Sequence, residues 1–200
     1  DVNGYTNSAV YGVHKSGQAV GFARRYVSGN DTGARATYWG PSGLVALTLP
    51  LLGLDSAGNA NGAAYAVNNA GQIVGWSRKY ASDADLGMRA VRWPDARTIV
   101  EMENLGTDSN GFTTCIARWI NASGQSAGWA EKYLSQDFKG RRAVLWSSTG
   151  AIMELENLGT DSSGRTQTDV YSLNDAGQAA GYALRYVSDL LKGFRAVRWD

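Results

Sequence analysis

The chain has 200 residues, 44% of them hydrophobic, and its 19 Lys and Arg against 18 Asp and Glu give a formal charge of +1. The hydrophobic content can fill a core, and the charge balance argues against a nucleic-acid or membrane-surface protein, which needs a basic excess to neutralise phosphate. The single cysteine, Cys115, excludes an internal disulfide and a cysteine-based metal site, and no apolar run approaches the roughly 20 residues of a membrane span.

One motif, Gly-Gln-x-x-Gly, occurs four times, with its first glycines 54, 53 and 53 residues apart. An Asp-x-x-Gly segment, a tyrosine and an Arg-Ala-(Val/Thr)-x-Trp segment recur in the same phase. Agreement of several motifs over four copies predicts tandem repeats. We therefore predict one repeat domain, 1–200, with units at 1–54, 55–107, 108–160 and 161–200.

Each unit indicates four short antiparallel strands in chain order. The first strand precedes a turn rich in Asn and Gly, and the second runs from the Gly-Gln motif to the tyrosine. The third strand is Arg-Ala-Val-x-Trp, and the fourth corresponds to 99–103 and 152–156. No segment has a sustained helical period, so we expect an all-β fold.

The second strand predicts how the units pack. Bulky residues such as Phe22, Trp76 and Trp129 share one parity, whereas Ala and Gly residues share the other. Sheets with one bulky and one small face can stack, the aromatic side chains of one filling the hollow over the next. We therefore predict a propeller-like arrangement of four blades, with a linear stack as the alternative.

The last unit stops just after its third strand, so we expect it to lack a fourth strand. An unpaired sheet edge is a liability unless it is covered. Either the missing strand lies outside these 200 residues, or another chain supplies it; the second alternative predicts copies of the chain that associate through sheet edges, by strand exchange.

The segments 120–125, 173–178, 104–107 and 157–160 resemble the central and Leu-Gly blocks of the HAF repeat, a bacterial family described as probable extracellular repeats. Where that family has His-Ala-Phe-x-Trp, this chain has Arg-Ala-(Val/Thr)-x-Trp, with Arg at 35, 89, 142 and 195. The resemblance implies secretion or surface display in a bacterium, and it implies no reaction.

Several residues could carry chemistry, but a structural interpretation is favoured for each. His14 occupies a turn position held by Asn in the other units, and Cys115 is expected to be a buried thiol. Glu101/Glu103 and Glu154/Glu156 have the composition of a glycosidase pair, yet charges on an outer strand usually prevent edge pairing. The Asp-x-x-Gly loops faintly resemble calcium loops but have one carboxylate each, so Asp-stabilised turns are favoured.

The hairpin between the second and third strands is the best surface candidate. Its serine and glycine are constant while its middle varies, as in repeat scaffolds that carry contacts. We take Phe138, Leu190, Leu191 and Phe194, at or near the predicted tips, as candidate partner contacts. Solvated tips without a function are equally compatible with the pattern.

These observations favour a non-enzymatic extracellular or cell-surface structural protein whose units self-associate, forming a filament by strand exchange. The alternative is a lectin-like module that binds carbohydrate through exposed aromatic residues, and the third reading is a glycoside-acting enzyme. We expect no cofactor, no metal, no nucleic-acid partner and no membrane span; the expected partners are copies of the chain, with glycans as the alternative.

Overall fold

A computed structural model describes residues 2–43 and 46–200. Within these residues the regular secondary structure consists of fifteen β-strands, and there is no helix. The strands are β1 (Ser8–Val13), β2 (Ala19–Val27), β3 (Asn30–Trp39), β4 (Ala46–Thr48), β5 (Gly62–Val67), β6 (Ile73–Ala81), β7 (Ala84–Asp95), β8 (Thr98–Glu101), β9 (Cys115–Ile120), β10 (Ser126–Leu134), β11 (Asp137–Trp146), β12 (Ile152–Glu154), β13 (Thr168–Leu173), β14 (Ala179–Val187) and β15 (Leu190–Trp199).

The strands form four separate antiparallel sheets, one in each predicted unit. Sheet 1 has the order β1-β2-β3-β4, sheet 2 has β5-β6-β7-β8, and sheet 3 has β9-β10-β11-β12. Sheet 4 contains three strands in the order β13-β14-β15. The prediction of an all-β repeat with about four antiparallel strands per unit is confirmed.

The sheets pack on one another in chain order. Strands of sheet 1 contact β5, strands of sheet 2 contact β9, and strands of sheet 3 contact β13. We call each of these contacts a junction, and we call the face of a sheet that meets the following sheet its forward face.

Each junction contains one hydrophobic cluster. The first cluster joins residues of sheets 1 and 2, the second joins sheets 2 and 3, and the third joins sheets 3 and 4. The largest side chain of each of the first two clusters is a third-strand tryptophan, Trp93 in the first and Trp146 in the second. The indole N–H of each donates to a carbonyl of the preceding unit: Trp93 to Pro50, and Trp146 to Glu103. The sequence analysis assigned this place to second-strand aromatic residues, and Trp129 instead lies beside Arg141, whose guanidinium carbon is 3.8 Å from its ring centre.

A β-bulge lies in the third strand of every unit, opposite the residues that precede the tyrosine of the second strand. The register shifts between Arg24 and Tyr26, and again between Glu131 and Tyr133. The extra residue interrupts the alternation of side chains along the third strand. The second strand has no extra residue there, so the bulge does not interrupt the alternation predicted from Phe22 to Tyr26.

Candidate functional site

The four candidate contact residues lie on strands rather than in long loops. The hairpins are closed by two residues, since β10 ends at Leu134 and β11 begins at Asp137. Phe138 is on β11, and its ring centre is 5.5 Å from that of Tyr133. Leu190, Leu191 and Phe194 are on β15, where all three side chains are exposed.

Phe194 belongs to an exposed aromatic group on sheet 4. Its ring lies edge-on to Tyr182 at 5.2 Å between ring centres, and Tyr182 lies 5.5 Å from Tyr171. Phe194 is 65% exposed and Tyr171 is 58% exposed. The structure thus places three of the four candidates on one strand of the last sheet and Phe138 on the sheet before it.

His14 and Cys115 occupy the structural positions expected for them. The His14 N–H donates to the Gln18 carbonyl at 2.8 Å, as the Asn68 N–H donates to the Gln72 carbonyl, so His14 takes the turn position. Cys115 is buried in the second junction, and burial raises the pKa of its thiol to about 12. A thiol with this pKa carries almost no thiolate at neutral pH and is a poor nucleophile.

The first carboxylate of each Glu-x-Glu pair holds two basic side chains. Glu101 lies 2.8 Å from Lys79 Nζ and 3.1 Å from Arg89 Nε. Glu154 is placed in the same way, 2.6 Å from Lys132 Nζ and 3.0 Å from Arg142 Nε. Each carboxylate therefore orients an arginine of its own sheet.

The Asp-x-x-Gly loops are turns closed by the aspartate. Asp108 Oδ1 accepts from the N–H groups of Asn110 and Phe112 at 2.8 and 2.9 Å. Asp161 accepts from the equivalent N–H groups, and Asp1, which starts the predicted loop of the first unit, lies outside the described residues. No group of three or more potential metal ligands occurs among the residues the structure describes.

A repeated arginine, which sequence reasoning did not select, joins each sheet to the next unit. Arg89 Nη1 donates to the Thr113 carbonyl at 2.6 Å, and its Nη2 donates to the Gly111 carbonyl at 2.8 Å. Arg142 and Arg35 make the same pair of bonds to the unit that follows each of them. We call Arg35, Arg89, Arg142 and Arg195 the junction arginines; their fixed phase in all four units was the available signal.

A glycine two residues before each junction arginine lets the next loop approach. Gly33, Gly87 and Gly140 have positive φ, and a Cβ at any of them would overlap a carbonyl of the following unit. That carbonyl belongs to Ala60, Thr113 or Thr166, the residue that also accepts from the arginine. The N–H of the same residue donates back to the preceding sheet, for example from Thr113 to the Leu86 carbonyl at 3.2 Å.

Burial changes the electrostatics of these arginines. Arg35 and Arg142 are almost fully buried, and their desolvation lowers the pKa of each guanidinium. For Arg142 the nearby Glu154 opposes that shift, because a carboxylate favours the charged form. The guanidinium is therefore held between one carboxylate and two carbonyls, all of which accept hydrogen bonds from it.

The turns after the first strands are also linked from unit to unit. Asn68 Nδ2 donates to the Asn121 carbonyl at 3.0 Å, and Asn121 Nδ2 donates to the Asn174 carbonyl at 3.2 Å. His14 reaches the second unit differently, through Nε2 and Asn69 Oδ1 at 2.5 Å.

The third junction contains a buried carboxyl where the preceding units have Ala63 and Ile116. Asp169 Oδ2 lies 3.6 Å from both Arg118 Nη1 and Arg141 Nη1. Burial raises the pKa of Asp169, and the two guanidinium groups oppose the shift. This group makes the third junction more polar than the first two.

A small aromatic cleft opens between sheets 1 and 2. The rings of Tyr11 and Tyr65 are stacked with centres 5.0 Å apart, and Phe22 and Trp76 also line the cleft, whose volume is about 230 Å³. Arg24 and Asn61 supply polar groups at its wall.

Comparisons with known proteins add no family. No protein-family model matches the chain, and a search of curated proteins finds no match. The resemblance to the HAF repeat therefore stays a prediction. None of the described residues forms a helix, so none forms a helix that could cross a membrane.

Proposed function

We propose that this chain is a non-enzymatic structural repeat protein, displayed outside the cell or on its surface, whose copies associate with one another. The observation that carries the proposal is the junction, which recurs three times among the described residues. In each one an arginine of one sheet donates to the same two loop carbonyls of the next unit, so the face of a sheet is built to bind another sheet of the same kind. The extracellular location rests on the resemblance to the HAF repeat.

We also propose that the four sheets are arranged as blades of a propeller-like array. The first strands of successive units contact one another, β1 with β5, β5 with β9 and β9 with β13. The turn asparagines bond from unit to unit beside these strands. Convergence of the first strands is expected where sheets radiate from an axis, and it supports this arrangement over a flat stack.

Strand addition at β15 is one route by which copies could associate. β15 pairs with β14 along one edge, and the exposed Leu190 and Leu191 stand at the end of this strand. Apolar side chains on an open edge favour pairing with another chain.

The test is the mass of the purified protein across a range of concentrations, measured by light scattering, together with electron micrographs. We expect oligomers that grow with concentration, or fibres, because Leu190 and Leu191 present exposed apolar side chains to a second copy. The variant Leu191→Lys should weaken association. Leu134→Lys is the matched control, since both leucines are 54% exposed but Leu134 lies on sheet 3. A monomer at every concentration would contradict the proposal.

Carbohydrate binding is the second candidate, and the cleft at Tyr11 and Tyr65 favours it. Stacked aromatic rings beside polar side chains suit the apolar face and hydroxyl groups of a sugar. Binding on a glycan array should disappear in Tyr11→Ala and persist in Tyr171→Ala, an exposed tyrosine at the same position of the last unit. Binding that survives both substitutions would rule out this cleft.

A further inference from the structure

Arg92 is a buried arginine on the forward face of sheet 2, and it is not one of the junction arginines. It lies on β7 opposite Val74, a residue of the hydrophobic cluster of the second junction, and it is 7% exposed. Its Nη1 donates to the Ser148 carbonyl of the following unit. Its Nε is buried and has no hydrogen-bond partner among the described residues.

The charge of Arg92 is not compensated by the protein. Arg142, which is also buried, pairs with Glu154, whereas Arg92 forms no ion pair with any residue that the structure describes. Desolvation lowers the pKa of the Arg92 guanidinium, and no carboxylate of the described chain opposes the shift as Glu154 does for Arg142. A buried cation without an anion is unfavourable, because its surroundings do not replace the hydration that it has lost.

The fold does not require a charge at this position. The equivalent residues of sheets 1 and 3 are Tyr38 and Leu145, and both pack in the hydrophobic clusters of their own junctions. Replacing a buried charge by a well-packed apolar residue is often neutral or stabilising. Packing between the units therefore gives no reason for an arginine here.

A cavity of about 170 Å³ lies beside Arg92, between sheet 2 and the turn that joins β11 to β12 of sheet 3. Pro94, Val100 and Met102 of sheet 2 and its outer segment form an apolar wall, and residues 148–150 of the turn line the opposite side. Of the described residues that line this cavity, Arg92 alone is charged. The cavity thus combines one buried cation with an apolar surface.

We propose that this cavity binds a small carboxylate, whose oxygens accept hydrogen bonds from the Arg92 guanidinium and whose hydrocarbon part lies against the apolar wall. The single charge of a carboxylate matches the single guanidinium, whereas a sulfate dianion would bring a second charge that no described lining residue neutralises. The ligand is small, because pockets for drug-sized molecules occupy about 300–1,000 Å³. This inference goes beyond the proposed self-association and does not depend on it.

Sodium butyrate is the first probe, titrated into the full chain at an ionic strength kept constant with sodium chloride. We expect saturable shifts of the amide signals of Met102 and Gly150 in nuclear magnetic resonance spectra, with a dissociation constant below about 10 mM. Butyramide has the same size and no charge, so it should bind at least about 10-fold more weakly. Equal binding of butyrate and butyramide would overturn the role of Arg92.

Arg92→Leu separates binding from folding, because leucine is the residue at this position in the third junction. The dissociation constant for butyrate should rise at least about 10-fold, while the Tm without ligand should be unchanged or higher. Ser148 is exposed, so its carbonyl can bond to water in the variant. Arg198→Leu is the matched control at the same repeat position of sheet 4, where the arginine is exposed and pairs with Asp200. It should leave butyrate binding unchanged.

Val100→Glu tests the same site by supplying the missing anion from within the chain. Val100 lies directly opposite Arg92 on β8, so a glutamate there can pair with the guanidinium and compete with the ligand. Butyrate binding should be lost in Val100→Glu. Val100→Gln is the control, because it adds a side chain of the same length without a charge, and it should bind butyrate more tightly than Val100→Glu.

Three results would overturn the proposal. Amide shifts that are as large with chloride or sulfate as with butyrate would show that the site does not select a carboxylate. Butyrate binding that survives both Arg92→Leu and Val100→Glu would place the ligand elsewhere. A Tm of Arg92→Leu well below that of the unsubstituted chain would mean that the arginine serves packing. None of these results depends on oligomeric state, so carboxylate binding and self-association can fail separately.

Discussion

At the residue scale, Arg142 shows how one side chain fixes the relation between two units. Its three nitrogens face Glu154 and the carbonyls of Gly164 and Thr166. A buried carbonyl without a partner costs about 1–3 kcal/mol, so the guanidinium satisfies groups that apolar packing would leave unpaired. The sequence shows that this arginine recurs. It cannot show what the arginine binds, because the acceptors are backbone atoms 22 and 24 residues further along.

We predict that Arg142→Ala lowers the free energy of unfolding by about 2–4 kcal/mol, since it leaves the carbonyls of Gly164 and Thr166 without their donor, while Glu154 keeps Lys132 as a partner. Arg195→Ala is the control at the same repeat position, and in the monomer it should cost no more than about 0.5 kcal/mol. Urea denaturation at low protein concentration measures both. Equal effects would mean that the junction arginines do not join the units.

At the element scale, the sequence predicted correctly which segments form β-hairpins but not how few residues close them. Constant serines and variable middles suggested projecting loops, yet Ser135 and Gln136 alone close the third hairpin, both with positive φ. A two-residue turn with positive φ at both residues matches the right-handed twist of the two strands it joins, and its positions are normally taken by Asn or Gly. The bulges in the third strands were also missed. Each contains a glycine with positive φ, such as Gly87 or Gly140, but a glycine at that place is equally typical of a turn.

The second strand also pairs with the preceding unit beside its tyrosine. The N–H of Tyr133 donates to the Leu105 carbonyl at 3.0 Å, and Tyr186 repeats this with Leu158 at 3.1 Å. The Leu-Gly block identified in the sequence is therefore the segment that connects one sheet to the second strand of the next.

We predict that Gln136→Gly stabilises the protein by about 0.5–1 kcal/mol, because glycine adopts positive φ without the steric cost that a side chain imposes. Thermal unfolding would report a higher Tm. Asp137→Gly is the control: Asp137 is the first residue of β11 and has no positive φ, so glycine there should be destabilising. A lower Tm for Gln136→Gly would contradict the strain argument.

At the scale of the whole molecule, each sheet depends on its neighbours. The repeat phase predicted four units and their all-β character, because the motifs recur with the period of one sheet. It did not predict that Trp93 and Trp146 would fill the junctions. The second and third strands of a unit both have aromatic residues. Which of these side chains enters a junction depends on the bulges and on the packing of neighbouring sheets, which the repeat pattern does not show.

We predict that amide hydrogen exchange is graded along the array. Repeat proteins are stabilised by nearest neighbours, so strands covered on both faces should open less often than strands covered on one. Amides of β6 and β10 should exchange most slowly, and those of β1 and β15 fastest, at a concentration where the chain is monomeric. Uniform protection would indicate that the four sheets unfold as one unit.

The junction arginines bind main-chain carbonyls, and this limits what the receiving loop must conserve. Gly58-Asn59-Ala60, Gly111-Phe112-Thr113 and Gly164-Arg165-Thr166 differ in sequence yet present the same acceptors. Any unit that keeps the loop's backbone can follow any other, so whole units can be duplicated, deleted or exchanged without a compensating change in their neighbours. The chain is in this respect a set of interchangeable modules, which can lengthen by gene duplication while every new contact is already encoded.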